Sequence, residues 1–284
     1  MARLPQLIDD GLYTEPIGAW GEEKYRLVAT YARMFATSMK GKWECRVYID
    51  LFAGAGHAHI KNTKRIVPAS PMVALDIKDK FDKYIFCDAD PLKIKALQER
   101  VSKAYPSVNS QFILGDTNKS VDSILQEIPQ HRKGFKVLSF CFADPYKLAN
   151  LKFETIRQMS SRFIDFLILI PSGMDANRNI SRYINPTNRT VDLFLGTSEW
   201  RDEWKQAKSQ GESFGHYITR RFSQEMEVIG YPYSRIEETK HIRSTDKNLP
   251  LYHLAFFSRN ELGQKFWEQA RKYSQEQGSF KFEQ

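Results

Sequence analysis

The stretch Val47-Tyr48-Ile49-Asp50-Leu51-Phe52-Ala53-Gly54-Ala55-Gly56 joins a short apolar strand to a glycine turn through one carboxylate. Gly54 and Gly56 lack the Cβ atoms that would stop a backbone from bending sharply and passing close to a ligand. Asp50 ends the strand, at the edge of an open α/β sheet where ligands bind. No Gly-Lys-Ser/Thr follows, so the turn is unsuited to a triphosphate. It suits a cofactor with an amino-acid or ribose group, and a plain strand-to-helix turn would read the same way.

Outward from the turn, the spacing predicts alternating helices and strands. Apolar residues from Tyr25 to Ala36 recur at helical spacing, which predicts a helix over Glu22–Met39. After the turn, Ser70-Pro71 reads as the N-cap and first residue of a helix over Met72–Ile77. Strands follow at Tyr84–Cys87, Gln111–Leu114, Phe135–Phe142 and Phe163–Ile170, separated by helices over Leu92–Ala104, Ser120–Ile128 and Phe153–Met159. Near-continuous apolar strands alternating with helices predict an α/β fold with a parallel sheet covered on both faces.

Past Gly173 the alternation stops. Residues 174–230 read as a helical insertion, a candidate substrate or partner element carrying Arg178, Arg182, Arg189, Arg220 and Arg221, with Trp200 and Trp204 as its exposed candidates for a partner surface. Two late strands, Tyr233–Lys240 and Leu251–Ser258, are expected to pair antiparallel before a helix over Glu261–Tyr273. The whole of 1–284 reads as one domain, with 1–45 as an N-terminal helical lead-in.

The successive strands stop at Asp50, Asp88, Asp116 and Asp144. Four carboxylates on one sheet edge are hard to explain as packing. Asp88 is placed to accept hydrogen bonds from two ribose hydroxyls, and Asp116 from an adenine amino group. This ordered set resembles the class I S-adenosylmethionine-dependent methyltransferases over most of Arg46–Ser258. The resemblance implies a Rossmann-like sheet, mostly parallel with a late antiparallel strand, and S-adenosylmethionine as cofactor. It assigns Asp50, Phe52, Ala53, Gly54 and Gly56 to the glycine motif, Asp88 to the ribose and Asp116 to the adenine, with Ala89 and Thr117 beside them as further cofactor-binding residues. The D-x-F-x-G-x-G form that Phe52 creates is usual in the nucleic-acid branch.

Asp144-Pro145-Tyr146 resembles a shortened D-P-P-Y box of amino-methyltransferases and is the candidate catalytic set. A carboxylate and a backbone carbonyl there would accept from an exocyclic NH2 while the aromatic ring stacks on a base. One proline is missing and Lys147 follows the tyrosine; a plain strand-ending turn is the competing reading. Cytosine-C5 chemistry needs a cysteine after a proline, and no Pro-Cys occurs. His57 and His59 flank the glycine turn, read as loop residues, and no histidine–carboxylate spacing predicts a metal.

The chain is also similar to the three-Cys-motif partner (TcmP) family, at Trp20–Lys24, the glycine motif, Ser70-Pro71, Asp144-Pro145-Tyr146, Asp165, Pro171, Leu251–Phe257, Gly263 and Trp267. That resemblance implies a companion protein carrying the cysteine motif. The three cysteines here are scattered without C-x-x-C pairing and read as buried small hydrophobes.

The net charge of +8, from 42 Lys and Arg against 34 Asp and Glu, mildly favours an anionic partner such as RNA or DNA. No apolar run approaches the roughly 20 residues of a membrane helix, and no apolar signal core follows Met1; the expectation is a cytoplasmic protein with no membrane partner. The leading functional expectation is methyl transfer to a nucleic-acid amino group. Transfer to a protein or small molecule, and a partner-binding module on the same scaffold, are the alternatives.

Overall fold

The computed structural model describes residues 3–231, 239–244 and 248–276. Its centre is a seven-stranded sheet built from β2 (Cys45–Asp50), β5 (Lys83–Asp88), β6 (Ser110–Leu114), β7 (Val137–Ala143), β8 (Ile164–Ile170), β9 (Lys240–Arg243) and β10 (Pro250–Phe257). The strands lie in the order β6-β5-β2-β7-β8-β10-β9. β6, β5, β2, β7 and β8 run parallel, and β10 enters antiparallel between β8 and β9. This is the α/β, Rossmann-like, mostly parallel sheet with one late antiparallel strand that the sequence predicts. The order reverses between β2 and β7, so a crevice opens at their C-terminal ends.

Strand alternation divides the core into two layers. On β7, Phe140 and Phe142 face one side, while Cys141 and Ala143 face the other. The first layer packs under α1 (Gly21–Met39), α2 (Ser70–Leu75), α3 (Pro91–Ala104) and α10 (Glu261–Glu276). Tyr31 of α1 sits with its ring centroid 4.8 Å from Phe140 and 4.6 Å from Phe256. The second layer packs under α4 (Val121–Glu127), α5 (Phe153–Met159), α6 (Ile180–Tyr183), α7 (Thr190–Leu195), α8 (Trp200–Ser209) and α9 (Phe214–Val228). Cys45, Cys87 and Cys141 are free and buried. No helix among the described residues is long and apolar enough to cross a membrane.

Several local expectations change. The glycine turn does not enter a helix directly: β3 (His57–Ile60) and β4 (Ile66–Pro68) form a hairpin, and β1 (Glu15–Ile17) joins β3 in parallel to complete a second, three-stranded sheet. His57 and His59 therefore lie on a strand, not in a loop. The hairpin leaves and returns at one point, because the Ala69 N–H donates to the Gly56 carbonyl at 2.7 Å. Helix α2 starts one residue earlier than predicted, with Ala69 as N-cap, and ends at Leu75. Among the described residues up to position 45 only Gly21–Met39 is helical; residues 4–18 run across the glycine turn in extended and bent conformations. Most of the predicted Tyr233–Lys240 strand, positions 233–238, lies outside the described residues.

Candidate functional site

The glycine turn is held in shape by its neighbours. Gly54 and Gly56 have φ of +63° and +82°, a region that L side chains avoid, and a Cβ on Gly56 would stand 2.8 Å from Leu97 Cδ1. Asp88, at the end of β5, accepts the Gly54 N–H at 2.8 Å through Oδ2 and the Asp90 N–H at 2.9 Å through Oδ1. A carboxylate has about four lone-pair sites, so each oxygen keeps capacity for one further donor. On α3, the buried Arg100 guanidinium holds the Ala55 carbonyl at 2.6 Å, the Tyr13 carbonyl at 2.8 Å and both oxygens of Asp10 at 2.7 Å. That one side chain ties the N-terminal segment to the glycine turn, and its hydrogen bonds hold the Asp10 carboxyl down to about 2.

Around this turn opens a cleft of about 900 Å³ at the C-terminal ends of β2, β5, β6 and β7. Phe52, Ala53, Gly54, Asp88, Ala89, Asp116, Thr117, Asp144 and Tyr146, nine of the twelve predicted site residues, line it. The Asp116 carboxylate is exposed and accepts the Asn118 N–H at 2.8 Å; the buried Thr117 hydroxyl donates to the Leu51 carbonyl. Asp50, Gly56 and Pro145 stand behind the lining. Asp50 is fully buried, where burial pushes its carboxyl up to about 7 against hydrogen bonds that lower it. It accepts the Phe52 N–H and the Tyr48 hydroxyl at 3.2 Å each, so it buttresses the turn from below.

The Asp144-Pro145-Tyr146 segment follows directly on β7 and passes into a 3-10 turn, Leu148–Asn150. Its course is set from both sides. Asp175, buried at the start of the insertion, accepts the Leu148 N–H at 2.7 Å, and Asn118 donates to the Asn150 carbonyl at 2.9 Å. Tyr146 is 63% exposed at the cleft mouth, placed as a stacking platform is. Lys24 of α1, itself buried, forms an ion pair with Oδ2 of the partly exposed Asp144. The ammonium lies 4.6 Å from the Tyr25 ring centroid and 5.3 Å from that of Trp20. Burial pulls the Lys24 ammonium down, and the Asp144 carboxylate beside it outweighs that and holds the ammonium above the usual lysine range.

Motif reading assigned no role to Glu15, Lys24, Lys61, Lys93 or Tyr252, all of which line the cleft. Lys93 pairs with Glu15 at 2.6 Å. Trp20 and Tyr252, from opposite ends of the described chain, pack with their rings tilted and their centroids 4.9 Å apart. Trp20, Lys24 and Tyr252 lie in the TcmP-like segments, which is the one signal that could have marked them; Glu15 has none, because only tertiary structure brings it over Gly54. Five carboxylates and three ammonium groups line the cleft, an excess of negative charge that suits a cationic ligand and disfavours a polyphosphate.

The insertion is packed differently from its predicted use. Trp200 is fully buried, donating from Nε1 to Asp192 at 2.7 Å, and Trp204 packs edge-on to Phe214 at 5.0 Å. Neither is available as an exposed partner surface, since their aromatic area closes the second core layer. Arg189 pairs with Asp192, Arg220 with Glu212, and Arg221 with Glu203 and Glu225. Arg178 and Arg182 are exposed without an ion pair among the described residues, and Arg178 is near enough to Tyr252 to act on its hydroxyl electrostatically.

No protein-family model matches this sequence, and no curated protein does. Among solved structures, protein LPL1258 from Legionella pneumophila str. Philadelphia 1 is similar with a TM-score of 0.53 at 12% identity, over 92% of this chain and 95% of that one. That likeness establishes the fold over nearly the full length of both. Weaker likenesses, at TM-scores of 0.45 and 0.43, are to the O-methyltransferase TomG from Streptomyces achromogenes in complex with S-adenosylmethionine, at 10% identity over 84% of this chain and 80% of that one, and to Trm1 from Pyrococcus horikoshii with the same ligand, at 7% identity over 86% and 56%.

Proposed function

We propose that this protein is an S-adenosylmethionine-dependent methyltransferase acting on a nucleic-acid strand. The observation that carries the reading is the glycine turn pinned by Asp88 at the mouth of a cleft whose lining carries excess negative charge. A methyl donor of this kind bears a sulfonium, an ammonium, a ribose and an adenine. The spare lone pairs of Asp88 suit ribose hydroxyls, the exposed Asp116 carboxylate suits an amino group, and the Gly54–Gly56 backbone leaves room for close approach. When bound, the cofactor supplies an electrophilic methyl group; Asp144 and Tyr146 are the residues that would orient the acceptor.

The nucleic-acid part rests on Tyr146, exposed at the rim, on Arg178, which acts electrostatically on Tyr252 of the same cleft, and on the neighbouring exposed cation Arg182, both without an ion pair among the described residues. An aromatic face with guanidinium groups is the means by which single strands are held without reading their sequence. The test is calorimetry with S-adenosylhomocysteine, followed by RNA and DNA binding across a salt series. Binding of the cofactor product and a salt-sensitive strand affinity lost in Arg178→Glu/Arg182→Glu are expected. Strand binding that ignores salt would remove the nucleic acid; no cofactor binding would remove the enzyme.

A further inference from the structure

Lys24 stands where no motif places a functional cation, and it changes what the Asp144 carboxylate is free to do. An exocyclic amine offers two N–H groups and develops positive charge as it gains a methyl group. At Asp144 it would find one oxygen already taken by the Lys24 ammonium, and a fixed like charge beside the nitrogen. A hydroxyl matches the pair better. It has one proton to give, to Asp144 Oδ1, and two lone pairs, one to receive a hydrogen bond from Lys24 and one left for the methyl carbon. The pair is built rather than incidental: Lys24 is 3% exposed, its ammonium is flanked by Trp20 and Tyr25, and all four residues line the cleft.

We propose that Lys24 is a positioning residue that, with Asp144, selects a hydroxyl as methyl acceptor, namely a ribose hydroxyl of an RNA strand. The inference rests on the methyltransferase reading above. In the step it implies, the ribose oxygen bonds to the methyl carbon as the sulfur–carbon bond breaks with its electron pair staying on sulfur, and the hydroxyl proton passes to Asp144. Lys24 keeps its protons throughout and steadies the charge that grows on oxygen. DNA, which lacks the 2′-hydroxyl, would not serve.

Two measurements test this. The first is the ratio of the S-adenosylhomocysteine to the S-adenosylmethionine dissociation constants, which reports the charge felt by the sulfonium. Lys24→Met exposes the Asp144 charge and should raise the ratio roughly tenfold, while Asp144→Asn leaves the Lys24 charge unbalanced and should lower it by a similar factor. Lys24→Arg, which keeps the charge, should hold the wild-type ratio. Asp144→Asn is nearly isosteric and stands alone as a test if Lys24→Met fails to fold. The second is label transfer from methyl-labelled cofactor to random-sequence RNA transcripts, followed by digestion to nucleosides. Label on ribose oxygen supports the proposal; label on a base nitrogen, or none, overturns the acceptor. An unmoved ratio with normal cofactor binding overturns the role of Lys24 alone, and wild-type protein that binds neither ligand overturns the methyltransferase reading itself.

Discussion

Arg100 grips both oxygens of Asp10 at 2.7 Å while its other amino group holds the Ala55 carbonyl, so one guanidinium joins the N-terminal segment to the glycine turn. Replacing Arg100 by Met would strand a carboxylate and two carbonyls. Asp10 is open to water, so the expected cost is about 1–3 kcal/mol, the range for leaving buried acceptors without their donor, read as a fall in the urea midpoint. S-adenosylhomocysteine affinity should fall with it.

The same pair predicts an acid limb. Arg100 holds the Asp10 carboxyl at about 2, below its unfolded value near 3.9. A depressed carboxyl stabilises the fold above the unfolded value and loses that contribution as pH falls toward the folded one. The difference in melting temperature between wild type and Asp10→Asn should therefore be constant from pH 5 to 7 and shrink below about pH 4. A difference that persists to pH 2 would contradict it.

Asp50 has the opposite sign. Burial lifts its carboxyl to about 7, so the folded state binds a proton that the unfolded chain has released, and stability is lost as pH rises between about 4 and 7. Asp50→Asn removes that dependence. Relative to wild type it should gain stability across this window and level off above it, as followed by thermal melts in a buffer series.

Asp88→Ala should weaken S-adenosylhomocysteine by about 1–3 kcal/mol, through lost charge-assisted hydrogen bonds and through the freed Gly54 N–H. Calorimetry reads the first effect, and amide exchange at Gly54 the second. Equal affinity with faster exchange would make Asp88 a prop for the turn alone.

Gly56→Ala puts a Cβ at a φ of +82° and 2.8 Å from Leu97, at an expected cost of about 1–3 kcal/mol in chemical denaturation. An unchanged midpoint would mean that α3 yields to the extra methyl.

The sheet was legible because its strands are buried on both faces: Ile164–Ile170 has no exposed residue and reads as an apolar run broken only by Asp165. The carboxylates at strand ends were legible because strand order places them on one edge. The small sheet was not. Its strands are three or four residues long, and the hairpin between Ile60 and Ile66 turns on Asn62 in a left-handed conformation, φ 62°, amid lysines and an arginine that read as loop. Trp200 and Trp204 misled for a related reason: their helix is otherwise polar, and only the fold of the insertion shows which side of it is covered. Lys24 was visible as a residue and not as a site, since its partner lies 120 positions away.

The packing of Trp20 against Tyr252 has a consequence for synthesis. During translation β2, β5, β6, β7 and β8 can pair as they emerge, but the rim of the cleft closes only after β10 has been made and has slotted in beside β8. A ligand therefore meets a finished binding surface late, and it can reward the completed fold while giving the nascent chain no template.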